Sequence, residues 1–157
     1  MSERTRLDRL LVERGLAATR SRAADAIKRG TVRVAGEAVD KPGLLVPLKA
    51  EIEIRDPAGS YVSRAALKLI AGLDRFTLDP KDRICLDLGA STGGFTQVLL
   101  ERGAARVHAV DVGHGQLHDS LKSDPRVLDI EGFNARDLGK DHIGEEAGVI
   151  VGDVSFI

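Results

Sequence analysis

The chain has 157 residues, 43% of them apolar, with a formal net charge of −1 and a single cysteine, Cys85. That length suits one ordinary domain or a small domain joined to a modest one, and the apolar content supports a packed core and excludes low-complexity disorder. One cysteine excludes an internal disulfide and fits a reducing cytoplasm; the opening "MSERTRLDRL" lacks a signal-peptide core, and no apolar run approaches the ~20 residues of a membrane helix. Charge divides along the chain. Basic residues outnumber acidic ones by three over residues 1–56, and acidic outnumber basic by four over the remainder. A basic module ahead of an acidic one suggests an anion-binding appendage, although so small an excess is also ordinary solvated surface.

Residues 6–14, "RLDRLLVER", set Leu7, Leu10 and Leu11 at helical spacing, and Gly15 can end that helix. Residues 19–29, "TRSRAADAIKR", predict a second helix with Thr19 as its N-cap and Ala23, Ala24 and Ile27 facing inward. "TVRVAGEAV" alternates and turns at Ala35-Gly36, which reads as a hairpin, and Ile52 and Ile54 alternate against charged neighbours further on. The first module is therefore two short helices packed on a small sheet. Its string "RLDRLLVERGLAATRSRAADAIKRGTVRVAGEAVDKPGLLV" resembles the S-four-type RNA-binding domain, in the "RLD" opening, the "SR" before the second helix and the run "I-x-x-G-x-V-x-V-x-G". The resemblance implies binding of structured RNA by Arg4, Arg6, Arg20, Arg22, Lys28, Arg29 and Arg33. Basic side chains meet phosphates, and duplex RNA is read mostly through its backbone and shape.

A joint is expected at 57–62, around "PAGS". "SRAALKLIAGL" then predicts a helix with Ser63 as N-cap and an apolar stripe of Ala66, Leu69, Ile70 and Leu73. Lys68 points away from that stripe, on the side of Arg64, where it reads most simply as a solvated charge. From there strand and helix alternate. Apolar runs "RICLDLG", "RVHAVDVG", "RVLDI" and "GVIVGDVSFI" are separated by helical stretches near 94–102, 115–122 and 135–142. This predicts an α/β fold, a parallel sheet with ligands beyond the carboxyl ends of its strands.

The cluster "DLGASTGGF" ends the first of these strands. A P-loop is excluded, because no lysine lies between Lys81 and Lys122, and the strict dinucleotide fingerprint fails because Ala90-Ser91 follow Gly89. Gly89-Ala90-Ser91-Thr92-Gly93 matches the G-x-S-x-G elbow of serine hydrolases literally, but its histidine and acid are not in hydrolase order. S-adenosylmethionine fits better. It has no phosphates, so it needs no lysine cradle. Asp87, the glycine turn with Gly89, Ser91, Gly93 and Gly94, and Asp111 at the end of the second strand supply close backbone approach and carboxylates for an ammonium and for ribose hydroxyls. The competing reading has Asp87 and Asp111 simply capping turns.

"YVSRAALKL", "DLGASTGGFTQVLLERGAARVHAVDVGHGQL" and "GDVSFI" together resemble the TlyA family, bacterial rRNA methyltransferases, some labelled haemolysins, with an S-four domain followed by an FtsJ-like domain. The resemblance implies domains at 1–56 and 63–157 and methyl transfer from S-adenosylmethionine to a cytidine ribose 2′-hydroxyl of ribosomal RNA, with ribosomal RNA or subunits as partner. It implies catalytic roles for Lys68 and Asp153, two members of a Lys-Asp-Lys-Glu set, and cofactor contacts at Asn134 and Asp137 in "EGFNARDL". The second lysine, the glutamate and three further strands would lie past Ile157. A truncated sheet of little activity is therefore expected, with self-association through its exposed last strand. The other classes are an RNA-binding fragment without catalysis and a membrane-active haemolysin; no spanning or amphipathic basic segment supports the latter.

Overall fold

A computed structural model describes residues 3–155. The chain forms two compact units, which divide between Pro57 and Ala58.

The first unit opens on a short strand, β1 (Arg4–Arg6), which runs directly into α1 (Leu7–Glu13). Leu7, Leu10 and Leu11 of α1 are buried, and Gly15 follows at φ +69°, so the helix stops where expected. In α2 (Arg20–Lys28) the Thr19 hydroxyl caps the helix by accepting from the Arg22 amide at 3.2 Å. Its inward face differs by one position from the sequence reading: Ala23, Ala26 and Ile27 are buried, while Ala24 is only half-buried. The helix presents its i, i+3, i+4 row, and Ala24 lies beside that row. β2 (Val32–Val34) and β3 (Glu37–Val39) form the expected hairpin, and β5 (Ile52–Ile54) pairs on the other edge of β2. The strand β1 pairs antiparallel with β4 (Leu45–Pro47), which the sequence pattern did not reveal because three-residue strands carry too little alternation to read. Val32 and Val46 close a single core with the two helices.

The second unit carries a four-stranded parallel sheet in the order β8-β7-β6-β9: β6 (Ile84–Leu88), β7 (Arg106–Val110), β8 (Val127–Ile130) and β9 (Val149–Gly152). The chain steps outward from β6 to β8, then returns to the far side of β6. That reversal places the topological switch point between β6 and β9, the place where open α/β sheets hold ligands. α3 (Ala65–Phe76) precedes β6, and Ala66, Leu69 and Leu73 of the expected stripe are buried, with Ile70 half-buried. α4 (Gly94–Glu101) joins β6 to β7 and packs against α3. Helix α5 is one turn, Asp119–Lys122, and the third helical stretch is a 3₁₀ turn at Ala135–Asp137 followed by α6 (Lys140–Ile143). Glycines 113 and 115, which favour turns, keep the expected 115–122 helix short. The strand β9 is a sheet edge among the described residues, and its Ile150 is 62% exposed.

Candidate functional site

The turn after β6 is built from three sources. β6 delivers Asp87, which is 1% exposed, to the base of the turn. Its carboxylate accepts from the Thr96 hydroxyl at 2.7 Å, in the first turn of α4. Burial pushes the Asp87 carboxyl up to about 6; the Thr96 bonds oppose that rise, and the nearby charges of Asp111 and Asp153 add to it. Three carboxylates thus lie near one glycine turn, and with Lys68 pairing Asp153 a net negative charge remains, a setting that favours a cationic ligand group over a polyphosphate.

Asp111, just past β7, binds the turn from the other side. One carboxylate oxygen accepts from the Ser91 amide at 2.7 Å and the other from the Gly113 amide at 2.8 Å. The turn-capping reading of Asp111 is therefore physically real. Each oxygen retains a further lone pair that can accept from a ligand hydroxyl. The Ser91 bond also holds that residue at φ +50°, a conformation that L residues adopt only with support. Gly93 sits at φ +102°, where any β-carbon would drive into Leu121 and come 2.8 Å from Leu117 Cδ1. Gly94 opens α4 and lets it approach α3, with Ser63 and Ala66 where a side chain would point. A β-carbon on Gly89 would meet the Asp153 carbonyl at 3.1 Å.

Beside this turn lies a cleft of about 310 Å³, lined by Ser63, Lys68, Gly89, Ser91, Phe95 and Asp153 among others. Lys68 Nζ donates to Asp153 Oδ2 at 2.8 Å, across 85 residues of sequence. Lys68 stays solvated, with 68% of its side chain exposed, yet α3 and the end of β9 bring its ammonium to the switch point. Ser63 does not occupy the formal cap position, yet its hydroxyl accepts from the Ala65 amide at 3.1 Å and so starts α3. Asp87, Gly93 and Asp111 support the turn from outside the cleft lining, and Asn134 and Asp137 lie elsewhere. Asn134 accepts from the Arg136 amide at 3.0 Å and caps its own 3₁₀ turn, and Asp137 is exposed. That turn is tied to the β7 end by the Phe133 amide donating to the Asp111 carbonyl.

Sequence reasoning missed Thr96 as the partner of Asp87, and Ser63, Phe95 and Ser155 as lining groups. Only the i, i+9 spacing across a strand-turn-helix unit could have pointed to Thr96. The serine-hydrolase reading lacks its base. His108 bonds Glu145, His118 bonds Ser120 and His142 accepts from the Gly139 amide, and among the described residues none bonds Ser91.

In the first unit, Arg6, Arg20, Arg29 and Arg33 of the seven basic residues singled out earlier have partners within the unit. Arg6 and Arg20 both bond Asp8, Arg29 pairs with Asp25 and Asp56, and an Arg33 guanidinium N–H donates to the Gly36 carbonyl. Arg6 first and Arg20 second hold the Asp8 carboxyl down at about 2, so it is ionised throughout the ordinary pH range. Arg4 and Lys28 are exposed, as is Arg22. Among the described residues, no helix is long and apolar enough to cross a membrane, and no His, Cys, Asp and Glu cluster could hold a metal.

Residues 61–157 match the FtsJ-like methyltransferase family and residues 5–52 match the S4 domain. A relative from Mycobacterium tuberculosis named 16S/23S rRNA (cytidine-2′-O)-methyltransferase TlyA is 48% identical over 158 residues, covering all of this chain and 59% of the relative. Hemolysin A from Brachyspira hyodysenteriae is 44% identical over 97% of this chain and 63% of its own length. A solved structure from Streptococcus thermophilus that carries a hemolysin label superposes with a TM-score of 0.65 at 39% identity, covering 100% of this chain and 58% of its own. The chain thus spans about three-fifths of the length of these relatives. It belongs to the FtsJ-like methyltransferase family, and shares with its TlyA relatives the order of an S4 domain followed by a methyltransferase fold.

Proposed function

We propose that this chain carries the cofactor-binding half of an S-adenosylmethionine-dependent methyltransferase acting on a cytidine 2′-hydroxyl of ribosomal RNA, with the N-terminal unit holding the RNA. The observation that carries the reading is the Lys68–Asp153 pair at 2.8 Å on the wall of the cleft at the switch point. The M. tuberculosis relative is named for this reaction, and the residues of the turn suit its cofactor. Their donor set is carboxylates and backbone groups without a lysine cradle, which matches an ammonium, a sulfonium and a ribose and rejects phosphates.

In this reading the turn from Gly89 to Gly94 holds the amino-acid tail, and Asp87 and Asp111 supply the negative field. Asp111 accepts the ribose hydroxyls on its remaining lone pairs. Asn134 and Asp137 border the adenine side by their place after β8. The bound cofactor supplies a methyl group already activated by its sulfonium. The remaining difficulty is the acceptor hydroxyl, whose pKa is high. Lys68 would orient that hydroxyl and stabilise the negative charge developing on its oxygen while the proton passes to solvent, and Asp153 would fix where the ammonium points.

The test uses a chimera that continues this chain with the remaining C-terminal part of the M. tuberculosis relative. Lys68→Met is expected to lower transfer of tritiated methyl to ribosomal RNA by at least ~100-fold while leaving S-adenosylmethionine affinity within about threefold. Full transfer by the Lys68→Met chimera overturns the assignment.

A further inference from the structure

Asp8 is an acid with two arginines. It sits in the first turn of α1, its side chain only 5% exposed. Arg6, the last residue of β1, grips it with two parallel bonds, Nε to Oδ1 at 3.1 Å and Nη2 to Oδ2 at 3.0 Å. Arg20, the first residue of α2, donates from Nη2 to the same Oδ2 at 3.0 Å. One arginine would neutralise the carboxylate. The second leaves one positive charge uncompensated, and both arginine side chains remain about half exposed, at 52% and 60%.

Their geometry is fixed on every side. Both Nη2 atoms bond one oxygen, so they lie no more than about 6 Å apart, a span that neighbouring oxygens of one phosphate group can bridge. The Arg6 guanidinium also lies flat against Gly43, where a β-carbon would come 3.3 Å from Nη1 and 3.4 Å from Cζ. The loop that carries Gly43 is itself tied to α1, because the Leu7 and Asp8 amides donate to the Leu44 and Pro42 carbonyls. Arg20 opens α2, so the partial positive charge of that helix end reinforces the same place.

We propose that the buried Asp8 is a positioning residue for RNA binding, holding the two basic side chains Arg6 and Arg20 as a pre-organised clamp for one phosphodiester of structured RNA. This rests on the reading of the first unit as RNA-binding. Three of the ten guanidinium N–H groups face Asp8, leaving the rest to an incoming phosphate without the entropy of ordering two long side chains.

The test is fluorescence anisotropy of the whole chain on a labelled RNA hairpin at fixed salt, with circular dichroism to report folding. Asp8→Asn adds one positive charge, so charge alone would tighten binding. The clamp predicts the reverse, a loss of about five- to tenfold, because both guanidinium groups lose their anchor. Gly43→Ala changes no charge and displaces Arg6; it is expected to weaken binding about threefold and to lower the salt slope by up to about one, and it decides the matter should Asp8→Asn fail to fold. Unchanged or tighter binding by folded Asp8→Asn, or unchanged binding by Gly43→Ala, overturns the clamp while RNA binding itself stands. Absence of binding by the unaltered chain overturns both.

Discussion

Replacing Asp87 with asparagine is expected to stabilise the second unit at pH 8 and, at the same time, to weaken S-adenosylmethionine binding. The folded carboxyl titrates near 6 against an ordinary value of 3.8, with burial as the main cause. A raised carboxyl pKa means that the unfolded chain releases its proton more readily. This group therefore costs nothing below pH ~4, and stability falls as pH rises through the folded pKa of about 6. The full rise corresponds to roughly 3 kcal/mol at pH 8 as an upper bound. Asparagine removes that cost and can still accept from the Thr96 hydroxyl. A gain of about 1–3 kcal/mol at pH 8, with little change at pH 4, is expected in urea unfolding. Cofactor affinity should fall about tenfold, because the negative charge beneath the turn, which favours the ammonium and sulfonium, is lost. An asparagine variant less stable than the parent at pH 8 contradicts this account of Asp87.

The second large effect is structural. Gly93→Ala is expected to cost about 2–6 kcal/mol, from two sources that add. An alanine at φ +102° costs ~1–3 kcal/mol in backbone strain, and forcing a methyl group into packed leucines costs a similar amount. The atoms in the way are the Leu121 and Leu117 methyl groups, both on residues about 5% exposed, so they have little room to move. Leu121→Ala in the same chain removes the worst contact and leaves the strain. The double variant should therefore be less destabilised than the sum of the single ones. Urea unfolding of the three variants checks this, and full additivity contradicts it.

These two residues also mark how far the sequence could be read. The strand-turn-helix around Asp87 was legible because apolar runs and glycines alternate over enough residues to give a period. The acids at strand ends stood out for the same reason. Their partners did not. Nothing in the string says that Gly93 makes room for Leu117 and Leu121, since these belong to a later segment brought back by the fold. Lys68 and Asp153 could be named only through resemblance, because contact across 85 residues leaves no local pattern. In the first unit the sequence displayed seven basic residues alike. Only the fold singles out Arg6 and Arg20, which converge on Asp8. Ala24 was misplaced by one position because an alanine pair offers no contrast in size or polarity to fix the inward face.

In the proposed reading, the carboxylates around the glycine turn at the switch point make a site for S-adenosylmethionine. Calorimetric titration of that molecule into residues 1–157, with ATP titrated in parallel, tests it most directly. The predicted result is saturable binding of S-adenosylmethionine and no binding of ATP. A folded chain that binds ATP at this turn, or binds neither ligand, contradicts the account.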